Sequence, residues 1–268
     1  MIRIFWTFFA GCMLLSTAVR ADGVVVYGAG SLRDALTAIV TDFTAKTGIP
    51  VRTAFGPSGL MRQKIEAGDP VDILASADMA SPLKLKQEGK AAAVVMFTRN
   101  RLCAFATPEA GLTSANFATR LTDPAVKLGT STPKADPGGD YTWAMFHLID
   151  KQHSGTFAIL DGKAQKIVGG TTAANPAGTD PIADAFKSGT INVMMGYCSG
   201  AAQRQKATPG LAVVPVPDDY DVGPEYGMAL QRLDNAQAVA VMLAILSPEG
   251  QAKLAQFGFA PVGAISQP

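Results

Sequence analysis

The stretch Val24-Val25-Val26-Tyr27-Gly28-Ala29-Gly30-Ser31-Leu32 decides the fold of this 268-residue chain. Its apolar first half is typical of a buried strand, and its second half runs through two glycines into a serine that opens a helix. Such a turn directs unpaired backbone N–H groups and one hydroxyl at a single spot, which binds anions without a charged side chain. A similar Phe-Gly-Pro-Ser-Gly turn follows at residues 55–59. Together the two turns indicate a small anion held by neutral groups.

Strands and helices alternate through the first hundred residues. Ser31 with Asp34 fits a capping box, Gly48 ends that first helix, and Ser81 before Pro82 is a second predicted cap. This βαβαβα order predicts an α/β fold with mainly parallel sheets and helices on both faces. Strands are expected over 24–27, 51–55, 71–75, 101–106, 126–130, 191–197, 211–216 and 226–230, and later helices over 60–67, 141–151, 181–187, 235–246 and 248–257.

The order of these elements predicts two lobes. The two closing helices need a sheet to pack on, and the N-terminal sheet is the natural candidate. The first lobe is therefore expected to be discontinuous, over 24–100 plus 218–268, with a second lobe over 101–217 and a ligand cleft between them. Strand ends and positive helix N-termini converge in such a cleft.

The composition suits a globular protein and excludes two other classes. Hydrophobic residues make up 48% and charged residues 17%, which argues against disorder. The formal net charge is +1 and falls to about −1 if Arg3 and Arg20 are removed with a leader. Without a basic excess, we expect no nucleic-acid partner.

Residues 1–21 have the pattern of a secretory signal peptide. A short basic start precedes an apolar run over 4–15, and Val19 and Ala21 occupy the −3 and −1 positions of a cleavage site. The apolar run is too short for a membrane anchor, which needs roughly 20 apolar residues. The sequence therefore predicts export to the periplasm.

Two cysteines remain after that leader, Cys103 and Cys198. In an oxidising compartment they are able to form one disulfide, although two buried thiols on strands are the slightly favoured interpretation. With only His147 and His153 in the chain, a zinc site has almost no ligands to draw on.

The candidate ligand-binding groups are uncharged hydrogen-bond donors. Ser31, Ser58, the turn Gly138-Gly139 and Tyr197 all fall where predicted strands meet helices or end. A fully deprotonated oxyanion presents only acceptors, so donors satisfy it, whereas a protonated anion needs one acceptor, usually a carboxylate. Ser31 and Ser58 also fit plain helix caps, and one serine is able to serve both roles.

Enzyme motifs are weak. Gly28-Ala29-Gly30 begins like a dinucleotide fingerprint, but Arg33 stands where the third glycine belongs. No Gly-x-Ser-x-Gly elbow surrounds Ser31, Ser58 or Ser199, and the chain has no P-loop lysine motif. We therefore expect a binding protein rather than an enzyme.

Further motifs accompany the two glycine–serine turns. They are Gln-Lys-Ile-Glu-Ala-Gly at 63–68, Pro-Val-Asp-Ile-Leu-Ala-Ser-Ala-Asp at 70–78, Asn-Arg-Leu at 100–102, Gly-Tyr at 196–197 and Ser-Pro-Glu-Gly-Gln-Ala at 247–252. As a set they resemble the periplasmic molybdate-binding proteins of ABC importers, which have the type II periplasmic-binding-protein fold. The resemblance covers nearly all of the chain after the leader.

This resemblance implies which residues hold the ligand. In that family two serines of the first lobe, with backbone N–H groups and a tyrosine hydroxyl of the second, bind the oxyanion. They correspond to Ser31, Ser58 and Tyr197, with Gly138 and Thr179 as the backbone donors. The implied ligand is molybdate or tungstate, whose metal stays enclosed in the oxyanion. We expect no cofactor, a membrane permease of an ABC importer as partner, and a monomer.

The chain also departs from the family pattern. Asp136 and Asp140 place two acids beside the implied site, and we expect Asp140 to point away and cap the helix; the segment 169–180 is longer than usual. The alternatives are the same fold with another anion, such as sulfate or a small organic acid, and, less favoured, an exported hydrolase with Ser31 as nucleophile.

Overall fold

Two β-sheets flanked by helices organise the chain. The computed structural model describes residues 23–170 and 179–262. The strands are β1 (Val24–Ala29), β2 (Val51–Gly56), β3 (Ile73–Ser76), β4 (Ala93–Arg99), β5 (Leu102–Ala106), β6 (Leu128–Ser131), β7 (Gln165–Val168), β8 (Val193–Tyr197), β9 (Ala212–Pro215), β10 (Glu225–Leu230) and β11 (Ala260–Pro261). The helices are α1 (Arg33–Thr47), α2 (Ser58–Glu66), α3 (Ala80–Gln87), α4 (Phe117–Thr122), α5 (Pro137–Gln152), α6 (Thr156–Lys163), α7 (Pro181–Lys187), α8 (Ala201–Ala207), α9 (Ala236–Leu246) and α10 (Pro248–Gln256).

Lobe 1 is the six-stranded sheet with its helices. Its strand order is β11-β4-β10-β3-β1-β2. β1 pairs in parallel with β2 and β3, whereas β10 runs antiparallel between β3 and β4. Apolar residues of β1, α1, α9 and α10 form its largest buried cluster.

Lobe 2 is the five-stranded sheet with its helices, in the order β7-β6-β8-β5-β9. β6 pairs in parallel with β7 and β8, and β5 antiparallel with β8 and β9. The predicted α/β class and two-lobed architecture are confirmed. The expectation of mainly parallel sheets is wrong, because a strand arriving from the other lobe enters each sheet antiparallel.

The chain crosses between the lobes at two adjacent places. β4 of lobe 1 leads through Asn100 into β5 of lobe 2, and the return crossing precedes β10. The Asn100 N–H donates to the Pro224 carbonyl at 2.9 Å, which holds the two crossings together. Tyr220 still packs in the core of lobe 2, so packing changes lobes a few residues after position 218.

The first helix begins in a different way from the predicted one. Ser31 lies in a short 3-10 turn, Gly30–Leu32, and α1 starts at Arg33 without a side-chain cap. The predicted cap at Ser81 is also wrong, because Asp78 accepts the Ser81 N–H at 2.7 Å. Gly48 does end α1, with a left-handed φ of 73°.

Cys103 and Cys198 form a disulfide, so the favoured interpretation of two free thiols is wrong. The strand register brings the two cysteines together. Cys103 lies opposite Gly196 in the antiparallel pair of β5 and β8, and Cys198 follows two residues later, with 4.9 Å between the cysteine Cα atoms. No helix within 23–170 or 179–262 is long and apolar enough to span a membrane. The predicted signal peptide lies outside the described residues.

Candidate ligand-binding site

A cleft between the lobes brings all five predicted residues together. Its volume is about 500 Å³. Turns of lobe 1 and strand ends and helix starts of lobe 2 line it, with Ser31, Ser58, Gly138, Thr179 and Tyr197 among the lining residues. Their shared position is a geometric result, while their contact with a ligand stays a prediction.

Ser31 presents its hydroxyl group from the turn after β1. Its Oγ lies 3.0 Å from the hydroxyl of Tyr226, a fully buried residue of β10. Asn100 Nδ2 donates to the same Tyr226 oxygen at 3.2 Å. Because an amide nitrogen is only a donor, the Tyr226 oxygen accepts there. The contact between Ser31 and Tyr226 fits donation by either hydroxyl, and donation by Tyr226 would leave the Ser31 proton for the cleft.

Ser58 is prepared in the same way at the first residue of α2. Its side chain is buried, and its Oγ accepts the Ala77 N–H at 3.0 Å. It makes no cap hydrogen bond to its own helix, so the capping role considered for it is wrong. The amide occupies one acceptor position, and the hydroxyl proton remains available to a ligand.

Tyr197 lines the cleft from lobe 2, at the end of β8. Its hydroxyl is buried and has no hydrogen bond of normal geometry within the described residues. Burial is the main cause that raises the pKa of Tyr197 well above 10, and the nearby Tyr226 and Asp136 add to the rise. The hydroxyl therefore stays protonated and able to donate. A buried donor without a partner is costly unless a ligand or water completes it.

Gly138 reaches the cleft, but its N–H is already engaged. Asp136 caps α5 and its Oδ1 accepts that N–H at 2.9 Å. Asp136 therefore occupies the backbone donor expected to face the ligand at Gly138, whose role as a ligand contact stays a prediction. Asp136 itself lines the cleft, and burial raises the pKa of its carboxyl to about 6, against the opposing effect of the Gly138 N–H.

The cleft also contains charged groups beside the uncharged donors, among them Asp136, Asp180, Arg33 and Arg204. Thr179 is followed by Asp180, which caps α7 and pairs with Arg204 at 2.9 Å. Burial raises the pKa of Asp180, but Arg204 and the helix N–H groups outweigh it and leave a lowered value. Arg33 lines the rim and lies over the Phe55 ring, 5.0 Å from its centroid.

Asp140 lies outside this cleft, on another face of the contact between the lobes. Its Oδ1 accepts the Lys134 N–H at 2.9 Å, and the helix cap expected of it is provided by Asp136. Lys134 has a φ of 68°, and its carbonyl faces Gly59 across the lobes. A Cβ on Gly59 would lie 2.6 Å from that oxygen, so the lobes meet at this glycine.

Sequence reasoning missed Tyr226, Asn100 and Arg204. In the sequence Tyr226 is one residue of a predicted apolar strand. Its contact with Ser31 joins residues 195 positions apart, so no local pattern indicates it. Arg204 reads as part of a polar helix. Nothing in the Asn-Arg-Leu motif at 100–102 indicates that the Asn100 amide reaches two hydroxyl groups.

Two lobes around a cleft of hydrogen-bond donors define a solute-binding protein. The chain belongs to the bacterial extracellular solute-binding protein family, which it matches over residues 24–260. It is 35% identical to an uncharacterised protein, PM1146, of Pasteurella multocida over 239 residues, 88% of this chain and 98% of that protein. A stretch of 88 residues, 33% of this chain and 35% of the relative, is 35% identical to the molybdate-binding protein ModA of Azotobacter vinelandii.

Solved structures share the fold at low sequence identity. The sulfate-binding protein SubI of Mycobacterium tuberculosis has a TM-score of 0.73 at 16% identity, covering 90% of this chain and 88% of that one. AfuA of Actinobacillus pleuropneumoniae, with fructose 6-phosphate bound, has a TM-score of 0.67 at 18% identity, covering 90% and 85%. Both are binding proteins, and the family match makes this chain a solute-binding protein rather than an enzyme.

Proposed function

We propose that this protein captures a fully deprotonated tetrahedral oxyanion, with molybdate and tungstate as the first ligands. The observation that carries the proposal is the direction of the two serine protons. Ser58 accepts the Ala77 N–H, and Ser31 lies 3.0 Å from the Tyr226 hydroxyl; with Tyr226 as the donor, each serine O–H is left for an acceptor in the cleft. The partial likeness to ModA supports the same ligand class.

The proposed role is delivery of that anion to the permease of an ABC importer. Lobe 1 contributes Ser31 and Ser58 and lobe 2 contributes Tyr197, so one anion bridges both lobes and stabilises the closed arrangement. The protein acts as a monomer in this proposal and needs no cofactor.

A second candidate ligand is a phosphate monoester. Asp136 supplies an acceptor in the cleft, which a protonated oxyanion needs and a dianion does not. The cleft of about 500 Å³ also leaves room beside a four-oxygen ion for an organic group, and AfuA provides fructose 6-phosphate as a probe. Sulfate and a carboxylate are the remaining probes.

The decisive experiment is calorimetric titration of the mature protein with molybdate, tungstate, sulfate, phosphate, fructose 6-phosphate and a small organic acid. We expect molybdate and tungstate to bind most tightly. No heat and no thermal shift with either would refute the specific proposal, and binding of fructose 6-phosphate alone would favour the second candidate.

Two substitutions test the site itself. Ser31→Ala and Ser58→Ala each remove one donor to a charged ligand, so we expect each to weaken binding about tenfold or more. Ser114→Ala, an exposed serine of lobe 2 outside the cleft, is the matched control and should bind like the wild type. If both site variants keep full affinity, the assignment of these serines is wrong.

A further inference from the structure

We infer that Asn100 and Tyr226 are positioning residues that fix the direction of the Ser31 proton and so restrict the lobe 1 wall to ligands that accept a hydrogen bond there. This inference rests on the proposed anion site at Ser31. Neither residue lines the cleft, and both are buried, with exposed fractions of 4% for Asn100 and 0% for Tyr226.

The orientation of the Asn100 amide determines the direction of the hydrogen bonds that run from Asn100 through Tyr226 to Ser31. Its Oδ1 accepts the Arg101 N–H at 2.9 Å, which assigns the oxygen and leaves Nδ2 facing the hydroxyl groups. Nδ2 donates to Ser199 Oγ at 2.8 Å and to the Tyr226 oxygen at 3.2 Å. Both protons of the amide nitrogen are used, and it has none left to reverse the direction.

The Tyr226 hydroxyl passes this direction to Ser31. Burial raises the pKa of Tyr226, so it remains a donor with one proton. Its ring is held edge-on against Phe97, Phe259 and Tyr197, with centroids 6.4, 5.5 and 5.6 Å away. The ring is fixed and its oxygen accepts from Asn100, which leaves Ser31 Oγ, 3.0 Å away, and the neighbouring Tyr197 hydroxyl as acceptors for its proton. The Tyr197 hydroxyl makes no hydrogen bond of normal geometry among the described residues, so we assign the proton to Ser31 Oγ.

The same amide joins the two lobes. Asn100 lies at the crossing between them, Tyr226 and Ser31 belong to lobe 1, and Ser199 follows Tyr197 in lobe 2. A substitution at Asn100 or Tyr226 would therefore change the direction of the Ser31 proton without removing any group proposed to touch the ligand. The inference is testable for this reason without altering the site residues themselves.

Tyr226→Phe is the first variant, because it removes one hydroxyl and keeps the ring. Ser31 then loses its donor, and its proton is no longer directed into the cleft. We expect molybdate affinity to fall about fivefold to tenfold. Tyr220→Phe is the matched control, since it removes a buried hydroxyl bonded to His153 at 3.1 Å in lobe 2, and it should bind like the wild type.

Asn100→Asp is the second variant and reverses the chain of donors. A carboxylate accepts from Tyr226, whose oxygen then accepts from Ser31, and the cleft loses that proton. We expect a larger loss than for Tyr226→Phe. The added charge also repels an anion, so both variants are repeated with Ser31→Ala. An effect transmitted through Ser31 shrinks toward onefold there, whereas repulsion or misfolding persists.

The outcomes separate the two proposals. If the wild type binds molybdate, Ser31→Ala weakens it and Tyr226→Phe weakens it only when Ser31 is present, the inference holds. If Tyr226→Phe has no effect, or the same effect with and without Ser31, the inference is overturned and the proposed function stands. If the wild type binds none of the oxyanions, both are overturned.

Discussion

Asp136 combines two tasks in a single carboxyl group. It caps α5 through the Gly138 N–H and also lines the cleft. Burial raises its pKa to about 6, and Asp140 and Asp78 add to the rise. The folded protein therefore holds a proton on Asp136 that the unfolded chain releases near the ordinary value of 3.8, so its contribution to the free energy of unfolding decreases as pH rises from about 4 to 6.

The charge of Asp136 predicts how binding depends on pH. Above pH 6 its carboxylate faces a dianion, so molybdate affinity should fall, by up to about tenfold per pH unit, between pH 6 and 8. Asp180 stays ionised against Arg204, and Tyr197 stays neutral, so neither titrates in this window. Titration calorimetry at several pH values measures the slope.

Asp136→Asn removes the charge and preserves the cap, because asparagine caps helices as well as aspartate does. For a deprotonated oxyanion this variant should bind more tightly than the wild type at pH 8 and lose the slope. For a protonated phosphate monoester it should bind more weakly, because the amide oxygen stays on the Gly138 N–H and an NH2 donor replaces the second carboxylate oxygen as the group left for the cleft. The sign of the change therefore distinguishes the two candidate ligands.

At the scale of elements, the disulfide joins β5 to the segment that follows β8. It closes a loop of 95 positions next to Tyr197 and the lobe crossing. We expect Cys103→Ser with Cys198→Ser to lower the free energy of unfolding by about 2–5 kcal/mol, which denaturant titration measures. The wild type treated with a thiol reductant is the control and should match the double variant; equal stability of oxidised and reduced protein would contradict the expectation.

Local sequence patterns predict many of the strands and helices, but they do not predict the contacts between elements that are distant in the sequence. The apolar run of β1 and the helical spacing in α1 are visible in the sequence because they depend on near neighbours. The contact of Ser31 with Tyr226 and the Cys103–Cys198 pair depend on the register of β10 and β8, which no local signal encodes. The wrong caps at Ser31 and Ser58 have the same cause, since a hydroxyl or amide distant in sequence contacts each serine, whereas the cap predicted at Ser81 is replaced by the nearby Asp78.

At the scale of the whole molecule, the lobes meet where α2 begins. Gly59 faces the Lys134 and Ala135 carbonyls, and the Tyr141 hydroxyl lies 3.2 Å from the Glu225 backbone oxygen. These contacts require the closed arrangement and no side chain on residue 59. Closure therefore depends on one glycine in a helix, where alanine would otherwise be favourable.

Gly59→Ala should keep the lobes apart and weaken ligand binding about tenfold, because closure then costs about 1.4 kcal/mol more. Thermal stability without ligand should stay the same or rise, since alanine favours the helix. Small-angle scattering with and without ligand measures closure. Gly162→Ala, in α6 with open space around it, is the control; a Gly59 variant that binds and closes normally would disprove this role.

The position of β10 also determines the order in which the protein assembles. Lobe 2 draws all its strands from one continuous segment, whereas the sheet of lobe 1 lacks a central strand until β10 arrives. For a chain that emerges N-terminus first, the serine turns appear early but their lobe is completed last, when α9 and α10 cover it. A product shortened at its C-terminus would retain a foldable lobe 2 and have no working cleft.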